Sequence, residues 1–198
     1  MMRRPAAFAL VCTLAAFSTG CSSPPAKFYT LSAVAAPTTT PSNISVLVGP
    51  VSVPAVIDRP QIVVTTGANQ VTVDEFSRWA SPVQDNLARV VADDLAAVLG
   101  TPRVTLYQSQ LGAEVDYRVQ IEVRNFESAP GKYASLEALW SVRRLKDGKT
   151  ETGRTVMRES VESESFDALA AAHSRSIAKM SQEIADALRT LVRSAQTL

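Results

Sequence analysis

Few side chains in this 198-residue sequence could do chemistry, and their spacing argues against catalysis. His173 is the only histidine. It falls in the apolar register of the last helical stretch, where a buried or boundary histidine is expected. No serine or cysteine triad, HExxH helix or His/Cys cluster accompanies it. The carboxylate pairs Asp74-Glu75 and Asp93-Asp94 are sequence neighbours, so on a helix or strand they do not face each other for acid–base work. Glu159, Glu162 and Glu164 read as the solvated face of a strand. Gly49 and Gly67 mark turns, and no glycine-rich loop with a phosphate-binding lysine opens a helix. Arg78-Trp79 is the most distinctive pair: Trp can anchor a contact and Arg can stack or pair. Its place between a hairpin and a helix favours a tryptophan that plugs the core over one that meets a partner. The sequence therefore predicts no enzyme, no metal site and no cofactor beyond a covalent lipid.

That lipid is expected on Cys21. Met1 to Arg4 form a short positive segment, and Ala6 to Phe17 an apolar run of about a dozen residues, too short for a bilayer span of about 20 but suited to a signal peptide. Ser18-Thr19-Gly20-Cys21 follows and resembles a bacterial lipobox, with cleavage between Gly20 and Cys21. Ser18 stands where such boxes usually carry Leu. Mature lipoproteins of this kind carry three acyl chains, enough for stable anchoring where one is marginal. Ser22 after the cysteine, in place of Asp, implies sorting to the outer membrane. The other cysteine, Cys12, lies within the leader, so the mature domain would contain no thiol or disulfide.

These residues imply three parts: a signal peptide over 1–20, a lipidated tether and Pro/Thr linker over 21–43, and a single domain over 44–198. Lys27 to Leu31 is apolar enough to dock on the domain or a partner, most simply as an edge strand. Ala33 to Asn43, with two prolines and three threonines, reads as an extended linker reaching at most about 36–40 Å. Ile44 to Val53 is a strand interrupted at Gly49-Pro50. Gln61–Thr65 and Gln70–Val73 form a hairpin around Gly67-Ala68-Asn69. Ser81 as N-cap and Pro82 as first helical residue open a helix that Gly100 and Pro102 end. Asp94 falls at the edge of its apolar stripe. Four strands follow, over 103–107, 116–126, 133–145 and 153–164, as an antiparallel meander. A long amphipathic helix spans roughly 166–193, with Phe166, Leu169, His173, Ile177, Met180, Ile184 and Leu188 on one face. The expected fold is α+β: a two-layer sandwich with a largely antiparallel sheet and two main helices packed on one face.

Composition narrows the partners. The chain is 46% hydrophobic and 20% charged, with a net charge of +1, ordinary for a folded domain and without a basic surplus for nucleic acid. A local basic patch could exist at Arg143, Arg144 and Lys146.

The blocks Gly49-Pro50-Val51-Ser52-Val53-Pro54, Ile57-Asp58-Arg59-Pro60-Gln61-Ile62-Val63 and Arg78-Trp79-Ala80-Ser81-Pro82 resemble those of PqiC-type lipoproteins, the auxiliary lipoproteins of ABC-type intermembrane transport systems. Phe28-Tyr29-Thr30-Leu31, Phe126-Glu127 with Leu136, Ala138 and Trp140, and Ala171-Ala172-His173-Ser174 are similar to other parts of that family. Ala55-Val56 departs from it, where a bulkier side chain is usual. The resemblance implies an outer-membrane lipoprotein on the periplasmic face that docks an MCE-domain protein bridging the periplasm. It also implies transport of lipid or another hydrophobic solute, and a ring-like homo-oligomer. Asp58, Arg59, Gln61, Arg78 and Trp79 are then the expected partner or subunit contacts. An envelope-assembly or regulatory binding module on the same fold stays open, as do a secreted enzyme of unrecognised type and a domain that itself carries lipid.

Overall fold

A computed structural model describes residues 24–109 and 114–196. The leader, Gly20 and Cys21 lie outside the described residues. The elements run β1 (Lys27–Tyr29), β2 (Val46–Ser52), β3 (Gln61–Gly67), β4 (Gln70–Trp79), α1 (Val83–Leu99), β5 (Val104–Leu106), β6 (Tyr117–Ala129), β7 (Tyr133–Arg144), β8 (Thr150–Ser160) and α2 (Phe166–Gln196). The α+β class is as expected, and both helices pack on one face of the larger sheet.

Two sheets form where one was expected. The larger has the order β5-β2-β6-β7-β8, the smaller β1-β4-β3. Only β6, β7 and β8 make the antiparallel meander, while β5 pairs parallel with β2, and β2 parallel with β6. The reason lies in α1. Parallel neighbours need a crossover, and α1 returns the chain beside β2, where Val46 donates to the Arg103 carbonyl and Tyr107 to that of Val48.

The kink expected at Gly49-Pro50 is a bulge: β2 advances from Val48 to Val51 while β6 advances from Val119 to Ile121. A Cβ on Gly49 would lie 2.7 Å from the Tyr107 Cβ, so only glycine lets β5 approach there. Helix α1 starts one residue later than expected. Pro82 occupies the N-cap, with no side-chain cap bond, and Gly100 closes the helix in the left-handed conformation at φ 62°. Ser81 is therefore not the cap; the extended ψ of 133° at Pro82 places the first helical turn beyond it.

The core joins the inner face of the large sheet (Val119, Ile121, Leu136, Ala138, Val142) to Leu87, Val91 and Leu95 of α1 and Ile177, Ile184 and Leu188 of α2. Full burial of a side chain of this size contributes roughly 1.5–3 kcal/mol. The local basic patch is smaller than its sequence implied. Arg144 is buried, donating to the Leu191 carbonyl at 2.7 Å and pairing with Asp147 at 2.6 Å, so it closes the end of α2.

The largest departure concerns residues 31–43. The presumed linker is a strap laid along both helices. Leu31 is buried, Ser32 donates its N–H to Ser174 Oγ, and Val34 and Ala35 donate theirs to Asp94 Oδ1 at 3.0 and 2.9 Å. Farther on, the Thr38 amide reaches the Ala97 carbonyl and the Ser42 amide that of Gly100. An uncharged Pro/Thr stretch looks solvated in sequence, but here the amides of Ser32, Val34, Ala35, Thr38 and Ser42 have fixed partners on the helices.

Candidate functional site: the crossing of the small sheet and helix α1

The blocks at 58–61 and 78–82 meet in space. The chain turns between Pro54 and Arg59, with Ile57 donating to the Pro54 carbonyl and Arg59 to that of Ile57. Buried Ile57 anchors this turn from below and leaves Asp58 and Arg59 exposed. Trp79 then donates its N–H to the Pro60 carbonyl at 2.7 Å, and Gln61 pairs with Arg78 across β3 and β4. The result is a shallow cleft of about 360 Å³ lined by Asp58, Arg59, Pro60, Trp79, Ser81 and Pro82. Among the described residues, no hydrogen bond or ion pair engages the side chain of Asp58 or Arg59. Both charges stay hydrated and available. Arg78 is tied down: its Nε donates to the Glu75 carbonyl.

Trp79 takes the core-plugging role that its place between hairpin and helix suggested. It is 5% exposed and sits edge-on to Phe126, with ring centroids 6.3 Å apart. Large apolar rings contribute most when fully buried, and this one joins the small sheet to β6. It props the cleft from behind and offers a partner little surface. Replacing it by Ala would cost about 3–5 kcal/mol of folding stability and would not report on a contact.

Next to this cleft, and sharing Ser81 with it, lies a larger groove of about 570 Å³ between β2, β5 and the first turns of α1. Pro50 and Tyr107 form one wall, Asp85 and Arg89 the other. Tyr107 is 55% exposed. This groove was not legible in the sequence, because Tyr107 comes beside Pro50 only through the parallel β2–β5 pairing.

Three of the titratable groups singled out in the sequence, His173, Asp94 and Glu159, are engaged within the fold. His173 is fully buried, with Nε2 at 2.9 Å from Ser128 Oγ and its ring stacked on Phe126 at 3.8 Å. Burial without a charged partner lowers its pKa to about 3, so the ring is neutral. Asp94 is buried between the strap and Ser181, not at a stripe's edge. Burial raises its pKa, and the amides of Ala35 and Val34 partly offset that. Glu159 is not simply solvated: it pairs with Arg175 and Lys179 of α2, and those bonds hold its carboxyl below the usual range. Among the described residues no group of His, Cys, Asp or Glu could hold a metal ion, and no described helix is long and apolar enough to cross a membrane.

Comparison with known proteins places this geometry. The family described as the ABC-type transport auxiliary lipoprotein component matches residues 29–185. The chain belongs to this family. The match begins at the last residue of β1 and takes in the strap. Two crystal structures share the fold of this auxiliary component. A protein from Xanthomonas campestris has a TM-score of 0.66 at 22% identity, over 86% of this chain and 99% of its own. An uncharacterized protein has a TM-score of 0.67 at 18% identity, over 82% and 98%. A comparison with curated protein sequences gives no match.

Proposed function

We propose that this auxiliary component is held by lipid on Cys21 at the periplasmic face of the outer membrane, where it docks the periplasm-spanning MCE-domain protein of an ABC transport system that moves lipid or another hydrophobic solute. The observation that carries the reading is the family match across residues 29–185. The cleft at the start of α1 supports the docking part. Among the described residues it presents Asp58 and Arg59 exposed and without a hydrogen bond or ion pair, on a hydrogen-bonded turn next to a second groove, so both charges can pair with those of a partner. In this reading the chain is a docking component and not an enzyme, and it acts as a ring-like homo-oligomer. Lipidation confines it to one surface, which raises its effective concentration for an arriving partner.

Arg59→Glu tests the docking surface. The side chain is exposed and unpaired, so the fold should be unchanged. Inverting a charge at a contact costs on the order of 2–5 kcal/mol of affinity if the charge is desolvated on binding, and less at a rim. Co-purification of the MCE-domain protein from solubilised envelopes should fall at least about tenfold. Unaltered recovery with normally folded protein would remove the cleft from the contact. Recovery of envelope-assembly proteins in place of transporter subunits would favour the assembly or regulatory alternative.

A further inference from the structure

We propose that, besides the lipid, the small sheet itself seats on the bilayer through Phe28 and Phe76, whose rings enter the interfacial layer. The proposal rests on the anchor assigned to Cys21. Phe28 is 65% exposed and Phe76 45% exposed. Phe28 of the edge strand β1 lies opposite Arg78, and Lys27 opposite Ser77, so Phe76 is two positions along β4 from the partner of Phe28. The register and the alternation of side chains thus place both residues on one face of the β1–β4 pair, with β1 at the edge of the sheet.

That edge is built. Between the pairs Gln61–Arg78 and Val63–Val73, β4 carries three more residues than β3. Asp74 Oδ1 closes the bulge by accepting the amides of Phe76 (3.0 Å) and Ser77 (2.6 Å). An exposed ring held on a fixed bulge gains nothing from water. Arg78 shares the face of the two rings, and although the carboxylate of Glu75 stands beside Phe76, exposed aromatic rings with a cation among them suit the bilayer interface.

Chain length selects the occupant. Lys27 is six residues from Cys21, and six extended residues span at most about 22 Å. The strap fixes everything after Leu31 to the helices, so no further slack exists and the β1 edge must stay near the lipid. Leu145, also exposed, lies at the far end of the large sheet, where its amide donates to the Asp116 carbonyl. Phe126, which touches Trp79, is ten residues along β6 from that point, roughly 30 Å away.

The two cysteines of the sequence are Cys12 and Cys21, so a lipidated chain has no reactive thiol and accepts single labels. Phe28→Cys, Phe76→Cys, Tyr107→Cys and Leu145→Cys would each carry an environment-sensitive fluorophore. The lipidated protein would be reconstituted in phosphatidylethanolamine–phosphatidylglycerol vesicles with brominated acyl chains. Labels at 28 and 76 should be quenched roughly twofold or more, and those at 107 and 145 should not. A label at Glu75→Cys, quenched in the parent, should escape quenching when Phe28→Ser and Phe76→Ser are added, which separates the rings' affinity from the dye's. Protein that floats with vesicles but is unquenched at 28 and 76, or equally quenched at all four sites, overturns the seat and leaves the anchor standing. Protein that does not float and whose Cys21 is unmodified by mass spectrometry removes both. Shielding that follows protein concentration and ignores bromolipid assigns the edge to a second copy and overturns the proposal.

Discussion

Asp94 holds the strap in place, and its two states can be told apart by substitution. Asp94→Asn keeps an Oδ1 acceptor for the Val34 and Ala35 amides and removes a charge that burial penalises. Its stability at neutral pH should match or exceed that of the parent, within about 1 kcal/mol. Asp94→Ala strands two amides and should cost about 1–3 kcal/mol, with faster hydrogen exchange at 34 and 35; equal losses in the two variants would contradict this role. His173 sets a pH dependence. Its folded pKa of about 3 lies below its ordinary value of about 6.5. The unfolded chain therefore takes up a proton that the fold refuses, and stability falls as pH drops from about 6.5 towards 3, by up to about 1.4 kcal/mol per pH unit. Asp94 acts in the opposite sense: its raised pKa means stability is lost as pH rises through it, so acid recovers part of the loss. Denaturant unfolding between pH 6.5 and 5 lies above most carboxylate titration, and there the slope should largely vanish in His173→Phe. A slope that persists would place the titrating group elsewhere. The apolar spacing around His173 foretold its burial. The spacing around Asp94 did not foretell its partners, because they come from a segment about sixty residues earlier.

At the scale of elements, the strap is the feature the sequence concealed. The α2 stripe was readable because its period is carried by its own residues, from Leu169 through Leu188, and the β6 alternation from Tyr117 to Val123 for the same reason. The strap has no period. It buries Leu31 and otherwise binds through its backbone, which residue types do not reveal. The same limit hid the parallel β5 and the second sheet, since strand type is local and pairing partner is not. The strap crosses the end of α1 at Gly100, where a Cβ would come within 2.5 Å of the Thr40 carbonyl oxygen, at φ +62°. Gly100→Ala should therefore cost about 1–3 kcal/mol, from the left-handed backbone and from the displaced strap. Hydrogen exchange at Thr38 and Ser42 should rise with it. A stability loss without faster exchange there would separate the helix cap from the strap.

The whole molecule has a direction. The chain enters at β1, runs the length of both helices as the strap, and starts the large sheet at the far end, where Arg144 closes α2. The small sheet and the Asp58–Arg59 cleft sit where the tether enters. The blocks at 58–61 and 78–82 stood out in the sequence and the fold brings them together, with Trp79 in the core as its place between hairpin and helix suggested, whereas the Tyr107 groove was invisible. The most direct test of the account is a photo-crosslinking amino acid at position 59 in the otherwise native lipoprotein, activated in intact cells and followed by isolation of outer-membrane adducts. The account predicts a covalent adduct with the MCE-domain protein of the transport system that disappears when that protein is deleted. Crosslinks that are absent, or that survive the deletion with other envelope proteins, would contradict it.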